Sequence, residues 1–252
     1  MTHQPRKRFG QHFLEDSAVL DQIVHAIYPK ENDEIVEIGP GEGVLTEQLL
    51  PYCRHLTGVE IDRDLVRYLQ EKFKHEKKIT IIEQDALQFT LENSSLRIVG
   101  NLPYNISTPL LFHLFSQIKN IRDMHFLLQK EVVDRLCAAK CSADYGRLSV
   151  MTQYYCSAEK FFEVPPEAFN PPPQVYSAFI RLTPHSTKPD IPIEKLKQVV
   201  TIAFNQRRKT ISNSLKSVIS KEELEKLNIS PQQRAQELSV EDFIKITQYL
   251  RK

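Results

Sequence analysis

Short runs of β-branched and aliphatic residues alternate with amphipathic segments through the first half of the chain. Five such runs are predicted strands, at residues 34–38, 56–60, 79–83, 96–100 and 125–128. Apolar residues at helical spacing predict helices between them, at residues 44–50, 63–74 and 110–115. This alternation is typical of a parallel sheet that is covered by helices on both faces.

Two later runs, at residues 160–164 and 176–182, are predicted to form an antiparallel pair at the sheet edge. Residues 183–192 contain three prolines and small polar residues, a composition typical of a linker. The segment 193–252 has helical periodicity and no strand-like run. We therefore predict an α/β fold in residues 1–186, doubly wound around a mostly parallel seven-stranded sheet, and a small all-α domain in residues 187–252.

The net charge of +1 conceals a difference between the two predicted domains. Residues 187–252 contain 13 Lys and Arg and 8 Asp and Glu, a net charge of +5, which leaves −4 for residues 1–186. A basic helical domain on an acidic body suggests a polyanionic partner such as nucleic acid. A solvated helical surface is the alternative explanation of the same charges.

Membrane and metal sites find no support in the sequence. No apolar run approaches the roughly 18 residues that span a bilayer. The basic N-terminus is not followed by the apolar stretch of a secretory signal. The four cysteines lack the spacing of a zinc site, so we expect reduced thiols and no metal. We expect a cytoplasmic protein, and we expect a monomer because nothing indicates an obligate dimer.

Residues with binding chemistry follow the predicted strands at their carboxyl ends, where doubly wound sheets bind ligands. The loop 39–43, with Gly39 and Gly41, allows a tight turn and offers free N–H groups at a helix start. Glu60 follows the second strand and can accept the hydroxyl hydrogens of a ribose. Asp85 follows the third strand and can accept a hydrogen bond from an adenine amino group, although capping a helix is an alternative role.

The details of the glycine loop favour S-adenosylmethionine over a dinucleotide. Its spacing is G-x-G-x-G, whereas the dinucleotide pattern is G-x-G-x-x-G. Pro40 lacks an N–H that a pyrophosphate would use. Glu37 and Glu42 would repel a pyrophosphate but suit a sulfonium. A nicotinamide oxidoreductase is therefore the weakest alternative.

The tetrapeptide Asn101-Leu102-Pro103-Tyr104 follows the fourth strand and indicates methylation of an adenine amino group. The lone pair of that nitrogen is delocalised into the ring, so acceptors that hold both of its hydrogens would free it for attack. The Asn101 side-chain oxygen can supply one acceptor, and the Leu102 carbonyl in the turn fixed by Pro103 can supply the other. Tyr104 offers a flat face on which a base can stack. A proline turn with a core tyrosine is the structural alternative.

Motifs along nearly the whole chain resemble those of a known family. The motifs occupy residues 8–14, 37–41, 101–110, 129–132, 145–150, 164–166 with Phe169 and 171–175, and 203–209. In these segments the chain resembles the small-subunit ribosomal RNA adenine dimethyltransferases. The resemblance implies a class I methyltransferase fold, Rossmann-like, and N6,N6-dimethylation of two adjacent adenosines near the 3′ end of 16S rRNA. It implies the small ribosomal subunit or its precursor as the partner.

The resemblance also implies roles for aromatic and N-terminal residues. The segment with His12 and Leu14 is expected to fold over the cofactor. His12 stands where the family usually has Asn; because histidine is titratable, we expect cofactor affinity to vary with pH near neutrality. Phe169 is expected to face the target base and to sandwich it with Tyr104, the alternative being a core aromatic.

The resemblance and the charge pattern together indicate an RNA surface. Arg207, Arg208 and Lys209, with Arg147 and the basic residues 6–8, are expected to bind RNA phosphates. Two rival functions remain open at this stage. One is methylation of adenine in large-subunit rRNA, as in the enzymes that confer macrolide resistance. The other is a non-catalytic ribosome assembly factor.

Overall fold

The computed structural model describes residues 12–250, in which strands β2–β7 and β9 form one sheet. The strands in chain order are β1 (Phe13–Leu14), β2 (Glu34–Ile38), β3 (His55–Glu60), β4 (Ile79–Glu83), β5 (Leu96–Asn101), β6 (Ile121–Gln129), β7 (Cys156–Val164), β8 (Phe169–Asn170) and β9 (Ser177–Pro184). The large sheet has the order β4-β3-β2-β5-β6-β9-β7. Strands β1 and β8 form a separate antiparallel ribbon.

The pairing within the large sheet confirms the predicted doubly wound α/β fold. Strands β4, β3, β2, β5 and β6 pair in parallel, and β9 pairs antiparallel to β6. Strands β7 and β9 are neighbours at one lateral edge of the sheet, as the sequence predicts. The strand order reverses between β2 and β5. The carboxyl ends of these two strands therefore flank the crevice in which such sheets bind ligands.

The helices in chain order are α1 (Ser17–Ile27), α2 (Val44–Leu49), α3 (Arg63–Lys72), α4 (Ser107–Ser116), α5 (Lys130–Cys137), α6 (Arg147–Tyr155), α7 (Ile193–Phe204), α8 (Ile211–Ser214), α9 (Lys221–Lys226) and α10 (Val240–Tyr249). The three helices predicted with bounds, α2, α3 and α4, agree with the structure to within about three residues, and α7–α10 lie in residues 193–252, where helices are predicted. Among residues 12–250, no helix has both the length and the apolar character to cross a bilayer.

Helix α1 is an element that the sequence analysis did not include. The Asp16 side chain caps its first turn by accepting hydrogen bonds from two backbone N–H groups. Val19, Ile23 and Ile27 recur every four residues and are buried against the sheet core. The helix therefore follows from ordinary capping and periodicity.

The chain divides into two compact units at positions that differ from the predicted domains. The first runs to Val133 and includes Glu159–Pro184, and the second comprises Asp134–Ala158 and His185–Lys252. The predicted boundary after residue 186 lies two residues from the change at Pro184. The predicted first domain includes residues 134–158. In the structure these residues belong to the helical unit, because α6 packs against α7 and α10.

The second unit has its own core and holds part of the predicted linker. The buried Tyr145 donates a hydrogen bond of 3.0 Å to the Leu238 carbonyl. Beyond the end of β9, His185 and Pro189 are hydrogen-bonded to the end of α6. These residues are therefore packed rather than free.

An ion network is buried at the amino ends of the strands in the first unit. Arg97 of β5, with 4% of its side chain exposed, pairs with Asp33 at 2.7 Å and Asp123 at 2.9 Å. It also donates to the Ile27 carbonyl at 2.6 Å, which ties the end of α1 to the sheet. A buried guanidinium is tolerated here because its donors are matched by carboxylates and carbonyls.

Candidate active site

The carboxyl ends of the central strands open on a cavity in the first unit. Residues from β1, the glycine loop, the ends of β3 and β4 and the segment after β5 line it. They include His12, Phe13, Leu14, Glu37, Gly39, Gly41, Glu60, Ile61, Asp85, Ala86, Asn101, Leu102, Pro103 and Tyr104. The structure therefore brings together every predicted cofactor residue and the whole tetrapeptide.

The glycine loop holds its open shape through positive φ angles. Gly39 and Gly41 have φ values of +66° and +60°, which side chains rarely adopt. A Cβ added to Gly41 would also stand 3.0 Å from the ring of Phe13. The absence of a side chain thus lets β1 pack directly over the loop.

Backbone donors hold Glu60 at the floor of the cavity. Its Oε1 accepts hydrogen bonds of 2.9 Å from Ile61 N and Asp62 N, and its Oε2 accepts one of 3.3 Å from Gly41 N. Burial raises the pKa of Glu60, whereas these N–H groups oppose the rise. A carboxylate fixed by three N–H groups still has acceptor positions for a ligand's hydroxyl groups.

Glu37 is a feature of the cavity whose burial the sequence did not reveal. Its side chain is 2% exposed and accepts a hydrogen bond of 2.6 Å from Thr46 Oγ1. Burial raises the pKa of Glu37 to about 7, and the nearby Glu60 charge acts in the same direction. Glu37 is therefore close to half-protonated at neutral pH, and a cation in the cavity would favour its ionised form.

Asp85 lines the cavity but does not cap a helix, the alternative role that the sequence left open. Its Oδ1 accepts a hydrogen bond of 2.9 Å from Leu87 N and so holds a turn, but no helix begins there. A carboxylate has further acceptor positions beyond the one that holds the turn.

The contacts of Asn101 orient its side-chain amide. Its Nδ2 donates a hydrogen bond of 2.8 Å to the His12 carbonyl, which assigns the nitrogen and leaves Oδ1 as the acceptor. The backbone of the next residue is fixed to β6, because Leu102 N donates to the Leu127 carbonyl at 3.1 Å. The turn through Pro103 follows directly.

Tyr104 is held at both its ring and its hydroxyl. The hydroxyl shares a hydrogen bond of 2.7 Å with Ser177 Oγ, and burial raises the pKa of Tyr104. The His12 ring stacks on Tyr104, with a centroid distance of 5.5 Å and an angle of 27°. His12 Nδ1 also donates to the Pro171 carbonyl at 2.6 Å. His12, which is expected to fold over the cofactor, thus packs against the predicted base-stacking residue.

The expectation that Phe169 faces a target base disagrees with the structure. Phe169 is 4% exposed, belongs to the hydrophobic core and does not line the cavity. The reason is the ribbon, in which Phe169 pairs with Leu14 so that both residues reach the same core. The alternative interpretation, a core aromatic, describes this residue.

The basic residues singled out in the sequence lie in the second unit. Arg147 begins α6, and Arg207, Arg208 and Lys209 follow α7, all of them exposed. Arg207 donates a hydrogen bond of 2.6 Å to the Ala143 carbonyl, so part of this group is already oriented. Residues 6–8 lie outside the described residues. Between residues 12 and 250, no three side chains of His, Cys, Asp or Glu lie together in an arrangement that could hold a metal ion.

Comparison with known proteins places the chain in one family. A family model described as ribosomal RNA adenine dimethylase matches residues 2–252. The ribosomal RNA small subunit methyltransferase A of Coxiella burnetii is 57% identical over 251 residues, 97% of each chain. Its counterpart in Methylococcus capsulatus is 51% identical over 255 residues, 99% of each chain.

Solved structures show the same fold. A dimethyladenosine transferase from Plasmodium falciparum superposes with a TM-score of 0.85 at 25% identity, covering 95% of this chain and 98% of that one. The 23S rRNA methyltransferase ErmE superposes with a TM-score of 0.75 at 24% identity, covering 95% and 100%. The second likeness is one of fold alone.

Proposed function

The chain belongs to the ribosomal RNA adenine dimethylase family, and we propose that it methylates small-subunit rRNA. The reaction transfers methyl groups from S-adenosylmethionine to N6 of two adjacent adenosines near the 3′ end of 16S rRNA, forming N6,N6-dimethyladenosine. The substrate is the small ribosomal subunit or its precursor. The observation that carries the mechanism is the Asn101 amide, which the His12 carbonyl orients at the end of β5.

The lining of the cavity fits S-adenosylmethionine. Glu60 would hold the ribose hydroxyls and Asp85 the adenine amino group, since both carboxylates lie at strand ends and line one cavity. Gly39 and Gly41 expose backbone where a methionine chain would run. Glu37 supplies a carboxylate that gains stability from a cation. When bound, the cofactor supplies an electrophilic methyl group on a sulfonium.

Asn101 and Leu102 would activate the nucleophile. The Asn101 Oδ1 and the Leu102 carbonyl would each accept one hydrogen of the adenine N6, which draws the lone pair out of conjugation. Both acceptors are dipoles fixed in advance, so they also stabilise the positive charge that develops on N6. The methylated nitrogen then loses a proton to water.

Tyr104 would position the base. Its flat face is suited to stack an adenine that has left its RNA neighbours. The bond to Ser177 fixes the ring plane, and the His12 ring supports it on one side. Alignment of this kind accounts for a large share of the catalysis in a displacement between two bound molecules.

Replacement of Asn101 tests this function. Wild-type protein should transfer labelled methyl from S-adenosylmethionine to immature small subunits, and nucleoside digestion should yield N6,N6-dimethyladenosine. Asn101→Ala should lower the transfer rate at least about a hundredfold, because one fixed acceptor is lost, and should leave RNA binding intact. Asn93→Ala, an exposed asparagine hydrogen-bonded to Glu34, is the matched control and should behave as wild type.

The outcomes separate the competing functions. Full activity of Asn101→Ala would contradict the mechanism. Transfer to large subunits in place of small ones would assign the chain to the other rRNA target. RNA binding without any transfer by the wild-type protein would leave only an assembly role.

A further inference from the structure

A loop beside Tyr104, residues 171–176, is tied to the active site at both ends. At its start, His12 donates to the Pro171 carbonyl at 2.6 Å. At its end, the Tyr176 carbonyl accepts a hydrogen bond of 2.9 Å from Lys130 N. The next residue, Ser177, is buried and bonded to the Tyr104 hydroxyl. The loop is therefore held in one position relative to Tyr104.

The register of the sheet places the backbone of Tyr176 near the carboxyl ends of β5 and β6, close to Asn101 and Tyr104. In neighbouring strands, Asn101 lies opposite Leu127, and Leu127 lies opposite Phe179. Because β9 runs antiparallel to β6, its first residues lie at the same edge as the last residues of β5 and β6. Tyr176 comes immediately before β9 and thus stands on the rim that bears Asn101 and Tyr104.

The loop exposes apolar side chains in this position. Tyr176 is 51% exposed and Val175 45% exposed. Neither residue lines the cavity, so neither is needed to enclose the cofactor or the target base. These two large apolar side chains stand in solvent on a loop whose two ends are held at the rim of the cavity. A flat ring held there could cover a nucleobase with little loss of side-chain freedom.

We propose that Tyr176, flanked by Val175, is the platform on which the nucleotide next to the target adenine stacks. The inference rests on the proposed function, since it needs an RNA strand in the site. An adenine that reaches Asn101 has left its stack, and its neighbour thereby loses one stacking partner. The face of Tyr176 replaces that partner just outside the cavity. Tyr104 then holds the reacting base, and Tyr176 positions the strand.

Replacement of Tyr176 tests the platform by kinetics. Tyr176→Ala should raise KM for the RNA substrate about tenfold, within the range measured for loss of one aromatic–base stack, with little change in KM for S-adenosylmethionine. Tyr176→Phe keeps the ring and should behave as wild type. Tyr52→Ala is the matched control. Tyr52 is 55% exposed, but it precedes β3 and so lies at the amino ends of the parallel strands, away from the cavity.

A fluorescence measurement tests stacking without turnover. Short single-stranded RNAs carry 2-aminopurine immediately 5′ or 3′ of one adenine, and stacking quenches this base. Wild-type protein, Tyr176→Phe and Tyr52→Ala should quench one of the two RNAs on binding, and Tyr176→Ala should not. Equal quenching by Tyr176→Ala, or an RNA KM within twofold of Tyr52→Ala, would overturn the platform. Absence of methyl transfer by the wild-type protein would instead overturn the proposed function, and the quenching assay would still decide the platform.

Discussion

The buried carboxyl of Glu37 predicts an unusual dependence of stability on pH. Glu37→Gln keeps the size of the side chain and an oxygen that can accept from Thr46, but it removes the titration. Burial raises the pKa of Glu37 from 4.5 to about 7. A pKa difference of this size means that folding is about 3 kcal/mol less favourable with Glu37 ionised than with Glu37 protonated.

The sign of the effect follows from the two protonation states. Below pH 4.5 the carboxyl is protonated in both the folded and the unfolded chain. Between pH 4.5 and about 7 the unfolded chain loses this proton and the folded chain keeps it, so the contribution of Glu37 to stability falls as pH rises. Above about pH 7 the loss is complete.

Urea denaturation of wild type and Glu37→Gln across this pH range measures the effect. The free energy of unfolding of the variant, minus that of the wild type, should increase by about 3 kcal/mol between pH 4.5 and pH 8, whatever its value at the acidic end. Contributions from distant titrating groups cancel in this difference. Glu42→Gln, on the same loop but partly exposed, is the control for the loss of a carboxylate next to the cavity. A difference that stays constant with pH would refute the assignment of a raised pKa to Glu37.

Three further predictions concern other parts of the first unit. Arg97→Ala removes the buried guanidinium that pairs with Asp33 and Asp123, and only Asp33 keeps a second arginine, Arg122. The variant should cost about 3–5 kcal/mol in urea denaturation, whereas the exposed Arg54→Ala should cost less than about 1 kcal/mol; equal costs would contradict the role of the network. Gly100→Ala places a Cβ 2.5 Å from the Ile38 carbonyl oxygen of β2 and should lower the free energy of unfolding by about 1–3 kcal/mol. An unchanged urea midpoint would show that β2 and β5 can move apart without cost. Ser177→Ala removes the hydrogen-bond partner of the Tyr104 hydroxyl and should lower kcat for methyl transfer about tenfold, with S-adenosylmethionine binding unchanged in calorimetry. An unchanged kcat would show that the position of the Tyr104 ring does not depend on this hydrogen bond.

The regular elements of the fold could be predicted because their signals are local. Strand β2 is a short, mostly apolar run that is buried almost throughout, and helix α3 buries Leu65, Val66 and Leu69 along one face; the bounds of both agree with the predicted ones to within two residues. Helix α1 has equally clear signals in Asp16 and its apolar residues, and could have been predicted. The sequence also predicts that the cavity residues lie close together, because the carboxyl ends of parallel strands lie at the same end of the sheet.

Features that depend on distant pairing could not be predicted. Strands β1 and β8 have two residues each, too few to show any periodicity, so the burial of Phe169 had no signal in the sequence. The same holds for Glu37, whose raised pKa depends on the elements packed around it. The placement of residues 134–158 depends on how α6 packs, which its own sequence does not specify.

The ribbon of β1 and β8 sets the order in which the protein can become functional. Phe13 pairs with Asn170, and Glu15 adds two further hydrogen bonds to the segment around β8. A chain synthesised from its N-terminus cannot cover the cavity with Phe13 until Asn170 has left the ribosome, although the sheet up to β6 is already present. We therefore expect ribosome-bound nascent chains to acquire the proposed binding of S-adenosylmethionine late and abruptly, after the strands that line the cavity have emerged.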